Sequence, residues 1–183
     1  MRERALFEVT RALQVLLRND LARLHPGAVV TLLPPATPLP EGPGVNLYLY
    51  HVLPPAGWRA LPTEHLGRPV EQPGDQLHLR YLLTPLARRP DDRSAGAGDE
   101  AHVMLGLAME ALRTTPVLRG ADVPASDAGA SPGDDRSPAF AQATIALQSA
   151  GVDELARLWE PGRAGYRLSV AYEVRVAFAD GGP

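Results

Sequence analysis

Proline decides what this chain can fold into, because its nineteen copies are unevenly placed. The ring removes a backbone donor and fixes φ, so a proline marks an element's end or a place where none forms. Five prolines fall in Pro34–Gly44 (PPATPLPEGPG), and others crowd 54–73 and 119–142. Between them run proline-free stretches with clear periodicity, and the fold must be built from these. Proline and glycine together are about a fifth of the 183 residues, yet 45% are apolar, enough for one hydrophobic core.

The first such stretch is Ala5 to Leu24. Leu6, Val9, Leu13, Leu16, Leu17, Leu21 and Leu24 recur every three or four residues, while Arg4, Glu8, Arg11, Arg18 and Asp20 fall mainly on the other side. This predicts an amphipathic helix ended by His25-Pro26-Gly27. Ala28 to Leu33 is a short β-prone run. Pro34 to Gly44 reads as an extended, semi-rigid spacer, a reading preferred over a polyproline docking motif. Val45 to Leu53 (VNLYLYHVL) predicts a strand with both faces buried, central or at an interface, and Leu77 to Thr84 predicts another. Residues 54–74 are loop-like and 88–98 form a polar linker.

Asp99 is placed to cap a helix running to about Arg113. Ala101, Met104, Leu105, Ala108 and Leu112 make one stripe, and Val103, Leu107 and Met109 widen it. Such a helix is expected to be buried on more than one side, with Gly106 admitting another backbone closely. Residues 119–142 are poor in large apolar groups and read as a flexible insertion. Ala143 to Gln148 is strand-like, and Val152 to Trp159 is a short helix with Asp153 and Glu154 in its first turn. In Tyr166 to Phe178 every even position is apolar, which predicts a thirteen-residue strand of about 43 Å. A strand of that length favours pairing with another chain. The order α-β-β-β-α-β-α-β predicts a single α+β domain over 1–183, its mixed or mostly antiparallel sheet covered by helices.

Other classes drop out one by one. No apolar run reaches the roughly 18 residues of a membrane span. Met1-Arg2-Glu3-Arg4 leads into an amphipathic pattern, which argues against a signal peptide. A net charge of −3, with all 18 basic residues Arg, argues against a general nucleic-acid binder. Without Cys there is no disulfide, thiol nucleophile or Cys-based zinc site. His25, His51, His65, His78 and His102 never fall at i,i+3 or i,i+4, so no local metal pair forms. Ser94, Ser126, Ser131 and Ser137 sit in flexible segments, and Ser149 and Ser169 lack a nucleophile-elbow context. Asp91-Asp92 and Asp134-Asp135 read as solvated loops. Gly96-Ala97-Gly98 lacks the Lys and the preceding strand of a phosphate loop, and Asp99-Glu100 would repel phosphate. No catalytic, cofactor or metal residues are assigned. Apolar contact surface remains, with Tyr48, Tyr50, Trp159, Tyr166, Val170, Tyr172 and Val174 as interface candidates.

The order of blocks carries a resemblance. ALFEVTRALQVLLRNDL, VNLYLYHVL, LHLRYLLTPL, AHVMLGLAMEALRTTPVLRG, DELARLW and YRLSVAYEVRVAF occur in sequence over about residues 5–180. The chain thereby resembles the N-terminal domain family of the cap, or tail-terminator, protein of phage-tail-like contractile injection systems. The most specific pieces are Asn46 to Tyr50, Thr115 to Leu118 and Leu155 to Trp159. The resemblance implies a non-enzymatic structural role: a six-fold ring of this chain that ends tube and sheath growth and anchors the last sheath ring. It implies no cofactor and, as partners, the terminal sheath and inner-tube proteins. It also implies assembly in the cytoplasm into a particle. A ring needs two different patches to meet, and Tyr166 to Phe178 is the candidate edge for an exchanged strand. A phage head–tail connector, a scattered-site hydrolase and a solitary adaptor domain are the competing readings.

Overall fold

The computed structural model describes residues 4–35, 37–54, 76–86, 96–123, 138–160 and 165–178. Among the described residues, three α-helices and a six-stranded sheet form an α+β domain. Helix α1 is Ala5–Leu24, strand β1 Val29–Thr31, β2 Gly44–Leu53 and β3 Leu77–Pro85. Helix α2 is Gly96–Thr114, followed by β4 Val117–Arg119 and a 3₁₀ turn at Gly120–Asp122. Strand β5 is Phe140–Gln148, helix α3 Val152–Trp159 and β6 Val170–Phe178. The sheet order is β1-β2-β3-β6-β5-β4. Only β1 and β2 run parallel; the other four pairs are antiparallel, so the mixed sheet is as the sequence predicts.

Two glycines let backbones meet at its margins. A Cβ on Gly44 would lie 2.1 Å from the Val29 carbonyl oxygen, where β2 opens beside β1, and φ there is +145°. A Cβ on Gly120 would lie 2.0 Å from the Phe140 carbonyl oxygen, so only glycine fits that turn.

The sheet's first face holds the main core. Cross-strand register puts Val45 and Leu47 of β2, Leu79, Tyr81 and Leu83 of β3, Val174 and Val176 of β6 and Ile145 of β5 on one side. Val9, Leu13, Leu17 and Leu21 of α1 and Met104, Ala108 and Leu112 of α2 close over them. Each such apolar side chain contributes about 1.5–3 kcal/mol when fully buried. The buried Tyr81 hydroxyl donates to Thr10 Oγ1 at 2.8 Å, and Thr10 donates to the Leu6 carbonyl. Burial pushes the Tyr81 phenol far above its ordinary pKa.

Several expectations need correction. Strand β6 spans nine residues, not thirteen, and lies between β3 and β5 with both flanks paired. Helix α2 starts at Gly96, so Asp99 sits in its first turn and is not its cap. It is buried on one side only: Val103 is 49% exposed, and nothing lies within 4 Å of where a Gly106 Cβ would be. Within 119–142, expected to be an insertion, Arg119 ends β4, Gly120–Asp122 is a 3₁₀ turn, and β5 starts at Phe140, three residues before Ala143. Residues 55–75, 87–95 and 124–137, with Trp58 and His65, lie outside the described residues. Glu8 does not lie on the polar side of α1. It is 2% exposed, accepts the Ala139 N–H at 2.7 Å and pairs with Arg4 at 3.0 Å. A buried carboxylate is tolerable only with such partners.

Candidate assembly surfaces

The seven interface candidates separate into three places. Tyr48 and Tyr50, half-buried on β2, meet Trp159 of α3 on the sheet's second face. There Leu82, Leu155, Trp159 and Ala171 form a small second core. Leu39, from the Pro-rich stretch, packs onto the same cluster, so that stretch is seated on its own domain. Asn46 holds its start: the side-chain oxygen accepts from Thr31 Oγ1 (2.7 Å) and the Leu33 N–H (2.8 Å), and the amide donates to the Leu33 carbonyl (2.9 Å). Tyr172 and Val174 belong to the main core, with Val170 packed partly against it. Trp159, Tyr172 and Val174 are buried within the domain and are not free surface.

The edge expected at Tyr166 to Phe178 is not an edge from Val170 onward. Period-two alternation reports which face of a strand is buried, and a central strand under two helices gives the same pattern as an exposed one. Ahead of it, Tyr166 (49% exposed) and Leu168 (43%) continue the alternation outside any strand. Ser169 alone is tied down, donating to the Arg167 carbonyl and accepting from the Thr84 hydroxyl at 2.9 Å. Strand β5 ends at Gln148, paired with Ala171, so no β5 residue lies opposite 165–169.

The true sheet edges are stepped. Strand β1 pairs only with Gly44–Asn46 of β2, and β4 only with Gln142–Thr144 of β5. The Ile145 N–H is met by the Pro116 carbonyl at 2.8 Å. Among the described residues no strand pairs with the outer flank of β2 from Leu47 to Leu53, or with that of β5 from Ala146 to Gln148. Leu147 there is 59% exposed.

The rest of the second face is polar. One cross-strand row reads His51, Arg80, Glu173, Ala146, and the next reads Leu53, His78, Arg175, Thr144, Val117. A third carries Ala177, Gln142 and Arg119. Glu173 Oε1 accepts from Arg175 Nε at 2.7 Å and lies 3.5 Å from His78 Nδ1; Oε2 is 3.9 Å from Arg80 Nε. The Arg175 hydrogen bond, helped by the charges of Arg175, His78 and Arg80, holds the Glu173 carboxyl below the ordinary carboxylate range against the effect of burial. Tyr50 donates to Gln148 Oε1 at 3.3 Å. Burial chiefly, with Glu154 and Glu173 nearby, raises its phenol pKa while Arg80 opposes. No linear run of sequence pointed to this cluster, since its members come from four strands. Among the described residues no group of three His, Asp or Glu could hold a metal ion, and no helix is long and apolar enough to cross a membrane.

The family model of the Pvc16 N-terminal domain matches residues 8–183. The chain belongs to the Pvc16 N-terminal domain family. The fold agrees with that membership. The solved PVC sheath/tube terminator of an extracellular contractile injection system, in its extended state, matches 96% of this chain at a TM-score of 0.52 and 18% identity. The cap of the anti-feeding prophage, its tube-terminating cap, matches 95% at a TM-score of 0.48 and 16% identity. The chain spans 57% and 55% of those two chains, a little over half of each. No curated protein matches the chain significantly. The α+β fold and the family expected from the sequence hold.

Proposed function

We propose that this chain is the cap domain of a contractile injection particle. Copies form a six-fold ring on the distal end of the tube and sheath. The ring stops polymerisation and anchors the last sheath ring, and the chain carries out no catalysis. It folds in the cytoplasm and becomes part of the particle. The observation that carries this reading is the family match over residues 8–183, joined to a fold shared with a sheath/tube terminator over 96% of the chain.

The surfaces described above suit it. A ring joins unlike patches of neighbouring copies. The unpaired flanks of β2 and β5 lie at opposite margins of the sheet, so they are unlike and separate. Backbone groups on such flanks accept an added strand. Of the sequence candidates, Tyr166 and Val170, with the exposed Leu168, lead the list for contact with sheath or tube; Tyr48 and Tyr50 follow.

Electron microscopy of particles made with and without the chain tests this. The expected deletion phenotype is tubes of uncontrolled length, open ends and early sheath contraction. Capped particles of uniform length from the deletion would end the reading. Tyr166→Glu with Leu168→Glu should leave the fold intact and loosen the cap.

A further inference from the structure

The two halves of the second face differ in what covers them. Helix α3 and Leu39 close the half around Leu82 and Ala171. Among the described residues, the rows from His51 to Arg119 carry Arg80, Arg175, Arg119, His51 and His78 against one carboxylate, Glu173. The chain as a whole has 21 acidic and 18 basic residues. A cationic half-face in an acidic chain is therefore a local concentration, not an average. Glu173 cannot neutralise it, because its two oxygens already serve Arg175, His78 and Arg80. The Arg80 Nε has no hydrogen-bond partner. The Arg175 side chain is 55% exposed and that of Arg80 29%, so Arg175 is the more open of the two and the Arg80 Nε itself is buried. Among the described residues of other elements, Asp122 lies three residues beyond Arg119 in the turn after β4, and Asp153 and Glu154 are exposed in the first turn of α3, where Glu154 acts on Tyr50.

We propose that this half-face docks an acidic segment of a partner protein, with carboxylates seated on Arg80, Arg175 and Arg119. Guanidinium groups present paired donors that match carboxylate geometry. Ala146, Ala177, Leu53 and Val117 lie among them in the same rows, giving an extended segment apolar steps between its acids. A protein segment suits the site better than a single-stranded nucleic acid, because these rows carry no Phe, Tyr or Trp on which bases could stack.

The test is fluorescence anisotropy on the full chain with a labelled peptide of alternating Glu and Ser. A Lys/Ser peptide and an oligothymidylate of equal length are run beside it. The Glu/Ser peptide should bind and weaken as salt rises. Arg119→Glu with Arg175→Glu should cut affinity about tenfold or more at an unchanged melting temperature. Glu173→Gln should bind a few-fold tighter, since it removes the competing carboxylate; a merely structural role predicts no gain. Absent binding, or binding indifferent to the double variant, overturns the proposal. So does oligothymidylate binding as tightly as the peptide. A double variant that melts far lower does the same, because the chain itself would then occupy the face. Capping does not depend on this result.

Discussion

One sheet presents two faces that do different work. The first is closed by α1 and α2 and is apolar from β2 to β5. The second has a core of only four buried residues under α3, then a charged half with no described element over it. The hydrophobic effect scales with apolar area removed from water, so the first face holds the fold and the second has stability to spare for contact. If that division is right, equal truncations on the two faces should have unequal costs.

The largest effect is expected on the first face. Leu17→Ala empties a fully buried site on α1 and should cost about 2–5 kcal/mol. Chemical denaturation would show a lower midpoint at an unchanged slope. A cost below about 1 kcal/mol would break the comparison, because α1 would then not be clamping the sheet.

On the second face Trp159 gives a finer cut. Its indole is 2% exposed, yet Nε1 finds no hydrogen-bond partner. Trp159→Ala should cost about 3 kcal/mol, the low end for so large a side chain, because a small cluster at the surface can collapse around the gap. Trp159→Phe keeps most of the apolar body and removes a stranded donor, so it should cost under about 1 kcal/mol. Hydrogen exchange should show α3 amides opening in Trp159→Ala while α1 amides stay protected. Equal loss of protection in both helices would mean the two faces are one cooperative unit.

The sequence spoke clearly where local periodicity settles the matter. Helix α3 has the bounds that Val152 to Trp159 predicts, and α1 ends where His25-Pro26-Gly27 stops it. Strand order is another kind of information. The alternation in β6 identified its buried side and said nothing of its flanks, so a central strand was read as an edge. Charge alone places Glu8 in solvent, but its partner, the Ala139 N–H, lies 131 residues away. The cationic half-face is hidden for the same reason, since Arg80, Arg119 and Arg175 come to one face only once four strands are in register. Tyr48, Tyr50 and Trp159 do meet, because strand and helix periods each put them on an apolar side.

The smallest effect separates the second face's charges from its packing. The folded Glu173 carboxyl loses its proton more readily than the unfolded one, because Arg175 hydrogen-bonds the ionised form. The folded state then binds fewer protons, so this increment of stability is complete above the ordinary Glu value and is lost as pH falls below about 5. The partners are partly solvated, and Arg175 is more than half exposed, so the increment should be about 0.5 kcal/mol or less and should shrink in high salt. Glu173→Gln never has it. Melting temperatures of the two proteins, measured from neutral pH downward, should differ slightly at first and converge in acid, while Trp159→Ala stays low at every pH. Curves that run parallel to the acid limit would assign Glu173 to packing, and the charged half of the face would then be holding the fold as the first face does.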